Sequence, residues 1–163
     1  MKKITIVLLL LLTMSLSGQE KGNWLGIRGG YTPGLEFRHY FSNTNSGRLL
    51  LGYRQRGLLV HGLYEVHIKN LIPSNDQFSF IYGAGAHTGF QSWNKTEKQG
   101  TYYLTKTVTR IVAGIDGLIA VEYDLGVVPL TAGIEVKPFL EIGGNPSFQV
   151  IPWDFAFTLK LPL

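Results

Sequence analysis

The chain has 163 residues, of which 45% are hydrophobic and only 16% are charged, with 20 glycines and no cysteine. This balance excludes intrinsic disorder, and the lack of cysteine excludes a disulfide-stapled scaffold. The net charge of +4 includes Lys2 and Lys3, whose removal leaves 13 basic against 11 acidic residues, so we expect no basic stripe and no nucleic-acid partner.

The N-terminal segment has the layout of a secretory signal peptide. Two lysines precede an apolar run from Ile4 to Leu12, and small residues follow up to Gly18. The run is too short to cross a bilayer as a helix, which needs ~20 apolar residues. We therefore expect residues 1–18 to be a cleaved signal peptide, cut before Gly18 or before Gln19, and residues 19–163 to form the exported domain.

Large apolar side chains alternate with small or charged ones along the exported chain. The clearest run places Trp153, Phe155 and Phe157 on one side and Asp154 and Thr158 on the other. A period of two is the pattern of a β-strand with two unlike faces. The same pattern predicts eight strands, near residues 25–31, 35–38, 49–56, 60–68, 80–90, 116–123, 130–137 and 153–161.

Chain length limits the number of strands. Eight strands of about 9 to 11 residues use most of the exported chain, whereas the 16 strands of a porin need more residues than it has. The predicted fold is all-β: an eight-stranded antiparallel up-and-down transmembrane β-barrel. The two longest predicted connections, Gln91 to Thr107 and Pro138 to Ile151, are the fifth and the seventh. Since such barrels alternate short periplasmic turns with longer external loops, both would lie outside, and the fourth connection, Asn70 to Gln77, would be periplasmic.

If the large apolar side chains face lipid, the charged side chains face inward. The interior of eight strands is just wide enough for side chains to fill, so opposite charges would pair across the lumen. Glycines on the same face would make room for long side chains. The predicted interior charge network consists of Arg28, Glu36, Arg38, Arg54, Glu65, Asp116, Glu122, Glu135 and Lys137, with Asp154 and Lys160 on the same face.

Turn lengths predict which of these side chains lie opposite each other. A two-residue sixth turn at Gly126 and Val127 and a five-residue second turn from Asn43 to Gly47 each give an opposite-charge pair, which offsets the cost of desolvation. A three-residue first turn gives a like-charge pair, which requires a neighbouring carboxylate. The three predicted pairs are Asp116 with Lys137, Glu36 with Arg54, and Arg28 with Arg38.

Histidines on the polar face raise the question of a metal or catalytic site. His61 and His67 lie six residues apart, about 20 Å along a strand, so they do not chelate one ion locally. His61 meets His87 only if paired residues of the fourth and fifth strands sum to about 148. A Ser/His/acid site would need these groups on the lipid-facing side, where His39 stands alone. We therefore expect hydrogen-bonded interior histidines, no enzyme activity, no metal and no cofactor.

Four stretches in the middle of the chain carry a resemblance to known proteins. They are Gly62-Leu63-Tyr64-Glu65-Val66-His67, Tyr82-Gly83-Ala84-Gly85-Ala86-His87-Thr88-Gly89-Phe90, Gly114-Ile115-Asp116-Gly117 with Val121-Glu122-Tyr123, and Val136-Lys137-Pro138. Over residues 48 to 142 the chain resembles a family of small bacterial outer-membrane β-barrel proteins of the OmpA/OmpX-like type. The resemblance implies an eight-stranded antiparallel barrel inserted by the barrel-assembly machinery, and it brings no catalytic residue.

Pattern and resemblance together favour an integral protein of the bacterial outer membrane, in contact with lipid, with structural or interaction roles. The Gln91 to Thr107 loop is the expected contact with an external partner. Two alternatives stay open at this point. A narrow gated water path would make the barrel a pore or transport protein, and an apolar cavity would make it a soluble exported lipocalin-like ligand-binding barrel. Period alone does not distinguish the inner face from the outer one.

Overall fold

The structure, a computed structural model, describes residues 22–69, 77–99 and 102–163. The predicted signal peptide lies outside the described residues, as does most of the fourth connection. Within the described part of the chain, no helix has the length and apolar character needed to cross a membrane. The strands are β1 (Asn23–Gly30), β2 (Gly34–Tyr40), β3 (Asn45–Arg54), β4 (Gly57–Lys69), β5 (Phe78–Gln99), β6 (Tyr102–Asp124), β7 (Thr131–Val136), β8 (Phe139–Ile142), β9 (Phe148–Ile151) and β10 (Phe155–Pro162).

Eight of these strands form a closed antiparallel ring. Strands β1 to β7 pair with their neighbours in chain order, β7 pairs with β10, and β10 returns to β1. The all-β antiparallel prediction is therefore confirmed. The alternation of large apolar with small or charged residues explains the strands, because one side chain of each successive pair points to each face of the sheet.

The predicted loop from Pro138 to Ile151 is wrong, because β8 and β9 form a second hairpin there. Strand β8 continues β7 along the same partner, β6, in unchanged register. Pro138 has no N–H to donate, but its carbonyl accepts a 2.8 Å hydrogen bond from the Gly117 N–H, so the pairing survives the proline. On the other side, β9 and β10 are offset by one extra residue, which makes a bulge at Pro152 and Trp153.

The Gln91 to Thr107 segment is not an irregular loop, because β5 and β6 continue through it as a β-ribbon. The ladders that join these strands to the rest of the ring end at Gly89 and Ala113. Nine further pairs, from Gln91 opposite Arg110 to Gln99 opposite Tyr102, extend beyond the ring. We call residues 91–99 with 102–110 the ribbon.

The predicted register of the first turn is wrong by four residues. Arg28 lies opposite Gly34 rather than opposite Arg38, whose partner in β1 is Trp24. The β1–β2 ladder stops at Arg28 because the Thr32 N–H, in the wide turn that follows, bonds to the Asp154 carboxylate at 3.2 Å instead. The like-charge pair therefore does not form.

The second turn begins earlier than predicted, which shifts the β2–β3 register by four residues. Glu36 lies opposite Leu50 and not opposite Arg54. The turn closes where the Ser42 hydroxyl accepts a 3.1 Å hydrogen bond from the Asn45 N–H, so β3 starts at Asn45. Short local bonds of this kind from serine are a common way to end a strand.

The sixth turn has six residues rather than two, and the β6–β7 register differs from the prediction by two residues. Asp116 lies opposite Phe139, although its carboxylate still reaches Lys137 diagonally at 3.1 Å. The longer turn is held where the Gly126 N–H donates to the Asp124 carboxylate at 3.0 Å. Gly126 adopts φ +64°, a left-handed conformation that glycine tolerates best.

The two faces of the ring have opposite chemistry. Charged side chains are buried on the inner face, beside a small apolar cluster of Leu63, Ile81, Leu118 and Ala120. Large apolar side chains such as Phe157 are exposed on the outer face. A lipocalin-like cavity requires the reverse arrangement, so the interior contradicts that alternative.

An inner-face glycine shows how the long charged side chains fit. A Cβ atom at Gly26 would lie 2.8 Å from the Glu36 side chain and 2.9 Å from that of Lys160. Real Cβ contacts are essentially never that short. The glycine therefore provides the space in which this carboxylate and this ammonium meet, as the sequence predicts.

Candidate functional site

The inner face carries an ion-pair network that runs through the ring. Every residue of the predicted network is buried, and so are Asp154 and Lys160. The structure adds two members that the sequence analysis missed, Arg48 and Glu141. The buried charged groups of the described residues are Arg28, Arg38, Arg48, Arg54, Lys137 and Lys160, with Glu36, Glu65, Asp116, Glu122, Glu135, Glu141 and Asp154.

At the end of the ring that holds the chain termini, two cations and three carboxylates interlock. Arg38 contacts Glu65 at 2.7 Å and Glu122 at 2.8 Å. Lys160 contacts Glu122 at 2.5 Å and Glu36 at 3.0 Å. These side chains come from β2, β4, β6 and β10, so the contacts cross the lumen rather than follow one strand.

Arg48 is the hub of the network. Its guanidinium lies 2.8 Å from Glu36, 2.8 Å from Glu65 and 2.6 Å from Glu135. A planar guanidinium offers five donors in a fixed geometry, which suits contact with several carboxylates at once. Arg48 therefore joins strands β2, β4 and β7 through one side chain.

The middle of the network alternates in charge from Glu135 to Asp116. Arg28 contacts Glu135 at 2.5 Å and Asp154 at 3.0 Å. Lys137 then bridges Asp154 at 3.2 Å and Asp116 at 3.1 Å. Because every carboxylate in this run has at least one cationic partner, the cost of burying it is offset.

Two histidines meet at Asp116. His61 lies opposite His87 in the β4–β5 ladder, as a pairing sum of 148 requires. The Nδ1 atom of His61 is 3.1 Å from Asp116 Oδ2, and that of His87 is 3.0 Å from the same oxygen. Lys137 Nζ lies 3.4 Å from His61 Nδ1. We call His61, His87 and Asp116 the histidine cluster.

The network ends at Glu141, near the end of the ring that carries the ribbon. Its carboxylate lies 3.0 Å from His87 Nε2, accepts a 2.8 Å hydrogen bond from the Gln91 amide, and also contacts Arg54 and Gln149. Glu141 is thereby held by four side chains. The contacts form an unbroken sequence of ion pairs and hydrogen bonds between the two ends of the ring.

The interior has seven carboxylates against six Arg and Lys side chains, so it lacks one positive charge while the histidines are neutral. Two polar atoms in it, Nε2 of His61 and Oγ1 of Thr32, are buried without a hydrogen-bond partner among the described residues. A separate pair, His67 with the Ser46 hydroxyl, is 2.7 Å apart and lies away from the histidine cluster.

The two missed members were missed for different reasons. Arg48 shares the even-numbered face of Leu50 and Arg54, a signal that the sequence contains, but the second turn was placed too late to include it in the strand. Glu141 alternates correctly within β8, but Pro138 and the following glycine pair favoured a loop. Correct turn placement would have found both.

The ribbon is held together by polar contacts across its two strands. Ser92 and Thr109 are joined by hydroxyls 2.8 Å apart, and Thr96 and Thr105 by hydroxyls 3.2 Å apart. Cross-strand pairs of this kind stabilise a sheet that packs on nothing else. On the ribbon's exposed surface, a hydrogen bond from Lys95 at 2.8 Å lowers the pKa of Glu97 below its usual value.

Comparisons with known proteins give one structural likeness. The chain matches no protein-family model and no curated protein sequence. The N-terminal β-barrel domain of OprF from Pseudomonas aeruginosa is similar to it with a TM-score of 0.46 and 11% sequence identity, over 86% of this chain and 95% of that one.

Proposed function

We propose that the protein is an integral outer-membrane β-barrel whose interior is filled by ion pairs and whose ribbon serves as a contact surface outside the cell. The observation that carries the proposal is the polarity of the ring, with charges inside and large apolar side chains outside. Monomeric soluble proteins rarely expose apolar patches larger than a few hundred Å². An apolar outer face around the whole ring is suited to lipid.

The height of the apolar outer face fits a bilayer. On β4 the outward side chains from Leu58 to Ile68 are mostly apolar and exposed. Ten steps of about 3.3 Å give about 33 Å along the strand, which becomes about 25 Å along the axis at a tilt of ~40°. Outer-membrane barrels have an apolar band of about 25 Å. Tyr31, Tyr53 and Trp153 are exposed toward the ribbon end of this face, where an aromatic girdle is expected.

The connections support an orientation with the chain termini in the periplasm. The second and sixth turns, at residues 41–44 and 125–130, lie at the same end of the ring as Asn23 and Pro162. The two long hairpins, β5–β6 and β8–β9, lie at the opposite end. Since long connections of outer-membrane barrels face outward, the ribbon projects from the cell surface.

The ribbon is the surface best placed to meet a partner. Its nine pairs extend about 26 Å along the strands, at about 3.3 Å a residue. It carries exposed aromatic side chains, Tyr102 and Tyr103, beside the charged residues Lys95 and Glu97. Tyrosine is enriched at protein interfaces, whereas a purely structural loop has no need of two exposed tyrosines.

The contacts across the lumen favour a structural barrel over a pore. Arg48 and Arg28 reach carboxylates on other strands and occupy the space that a water path needs. Purified protein in planar bilayers should therefore give no stable conductance steps. Steps in the wild-type protein would instead support the transport alternative.

The test of the proposal is fractionation of cells that produce the full chain. We expect the protein to stay in the membrane pellet after carbonate washing, to require detergent for extraction, and to migrate differently on gels before and after boiling. A soluble periplasmic protein made in the same cells is the control for lysis. Release by carbonate, with no heat-dependent shift, would contradict the proposal.

A further inference from the structure

We propose that the histidine cluster binds one divalent transition-metal ion of the zinc type. His61, His87 and Asp116 come from the adjacent strands β4, β5 and β6, and all three side chains are buried. One ligand atom from each lies within 4.8 Å of the other two. Imidazole nitrogen and carboxylate oxygen are the donors that such ions prefer in proteins.

The distances suit coordination by these atoms. Zinc bonds of about 2.0–2.1 Å in a tetrahedral arrangement place neighbouring ligand atoms about 3.3 Å apart. Asp116 Oδ2 lies 3.1 Å from His61 Nδ1 and 3.0 Å from His87 Nδ1. Lys137 approaches the other oxygen of Asp116, Oδ1, at 3.1 Å, so Oδ2 is the oxygen directed to both imidazoles.

The surroundings provide the outer support that metal-binding histidines have. The far nitrogen of His87, Nε2, lies 3.0 Å from the Glu141 carboxylate. Metal-ligating histidines commonly donate this second N–H to a carboxylate, which fixes the ring and strengthens the ligand. Glu141 is itself held by Arg54, Gln91 and Gln149, so the imidazole plane has little freedom.

The charge of the interior favours an added cation. Seven carboxylates face six Arg and Lys side chains, and the missing positive charge is either a proton on His87 or a bound metal ion. Binding replaces the proton that lies between the imidazoles and Asp116, and this proton is released to solvent. No electron transfer is involved.

Refolding with metal tests the proposal in the full exported chain. Protein unfolded in urea with a chelator, desalted, and refolded into detergent with Zn²⁺ should retain one equivalent after gel filtration. Refolded with Co²⁺ it should show the intense visible absorption of a tetrahedral site. His67→Asn is the matched control, because His67 is also buried in the interior but bonds to Ser46 and lies outside the cluster. It should bind as the wild type does.

Variants of the cluster separate coordination from structure. His87→Asn should lose the retained equivalent, and Glu141→Gln, which touches only the far nitrogen of His87, should weaken Zn²⁺ binding by about 10- to 100-fold. If His87→Asn does not refold, His61→Asn replaces it. Wild-type protein that refolds but retains no metal above the level of the His61→Asn variant would overturn the proposal. Equal loss in His67→Asn would overturn it too. Neither result depends on where the protein resides in the cell.

Discussion

Removing the charge of Arg48 is expected to destabilise the barrel more than any change of similar size on its surface. Arg48→Met keeps most of the side-chain volume but withdraws a cation from Glu36, Glu65 and Glu135. Breaking a buried ion pair from one side typically costs ~3 to 5 kcal/mol, because an uncompensated charge stays buried.

The remaining contacts set the expected loss at the lower end of that range. Glu65 keeps Arg38 at 2.7 Å, and Glu135 keeps Arg28 at 2.5 Å. Each carboxylate is therefore left with a weaker set of partners rather than with none. We expect a loss of about 3 kcal/mol in the free energy of unfolding.

A double variant identifies the cause of the loss. Glu135→Gln added to Arg48→Met removes one charge of each sign, so the interior regains its original charge balance. The double variant should lose less than the two single variants together, by ~1 to 2 kcal/mol. Urea unfolding in lipid vesicles, followed by tryptophan fluorescence and by heat-dependent gel mobility, measures all four proteins.

Two results would refute this reasoning. Additive losses within ~0.5 kcal/mol would show that Arg48 and Glu135 do not interact. An equal loss in the control Arg110→Met would show that any arginine matters, since Arg110 lies on the exposed ribbon near the Trp93 ring and should change stability by less than ~0.5 kcal/mol.

Three further predictions follow from the outer face and the ribbon. Ile119→Lys places a charge in the lipid-facing wall and should cost ~2 to 4 kcal/mol in vesicles, whereas Val127→Lys, in the exposed sixth turn, should be neutral; equal effects would contradict the assignment of the faces. Trypsin added to whole cells should cut first at the ribbon, after Lys98, and cleavage only after the outer membrane is permeabilised would invert the orientation. Replacing residues 93–108 by a two-residue turn should leave the heat-dependent gel shift intact, because these residues pair only within the ribbon; loss of assembly would show that the ribbon is part of the fold.

The faces of the strands were predictable from the sequence, but the partners across them were not. All three predicted turn registers are wrong, by four residues at the first and second turns and by two at the sixth. Each error is an even number. An even shift leaves every side chain on its own face but changes the residue opposite it. This explains why Glu36 is buried as predicted yet contacts Arg48 instead of Arg54.

The ends of the strands follow local bonds that the sequence pattern does not contain. The Ser42 hydroxyl ends the second turn early, and a bulge at Pro152 lets β9 pair on after β10 has changed its alternation. The histidine cluster depended on a pairing sum that the sequence gave only as a condition. Asp116 joins it because β6 lies beside β5, which places three residues distant in sequence at one point.

Accessibility along β10 tests the central claim most directly. The chain has no cysteine, so single cysteines at positions 155 to 159 can carry spin labels without background. Phe157 is 71% exposed on the outer face, whereas Thr158 is 5% exposed on the inner face. In lipid vesicles, labels at 155, 157 and 159 should relax strongly with oxygen, which concentrates in lipid, and weakly with a water-soluble nickel chelate. Strong relaxation by the nickel chelate at these odd positions, or no alternation with positions 156 and 158, would contradict a lipid-facing apolar wall around a charged interior.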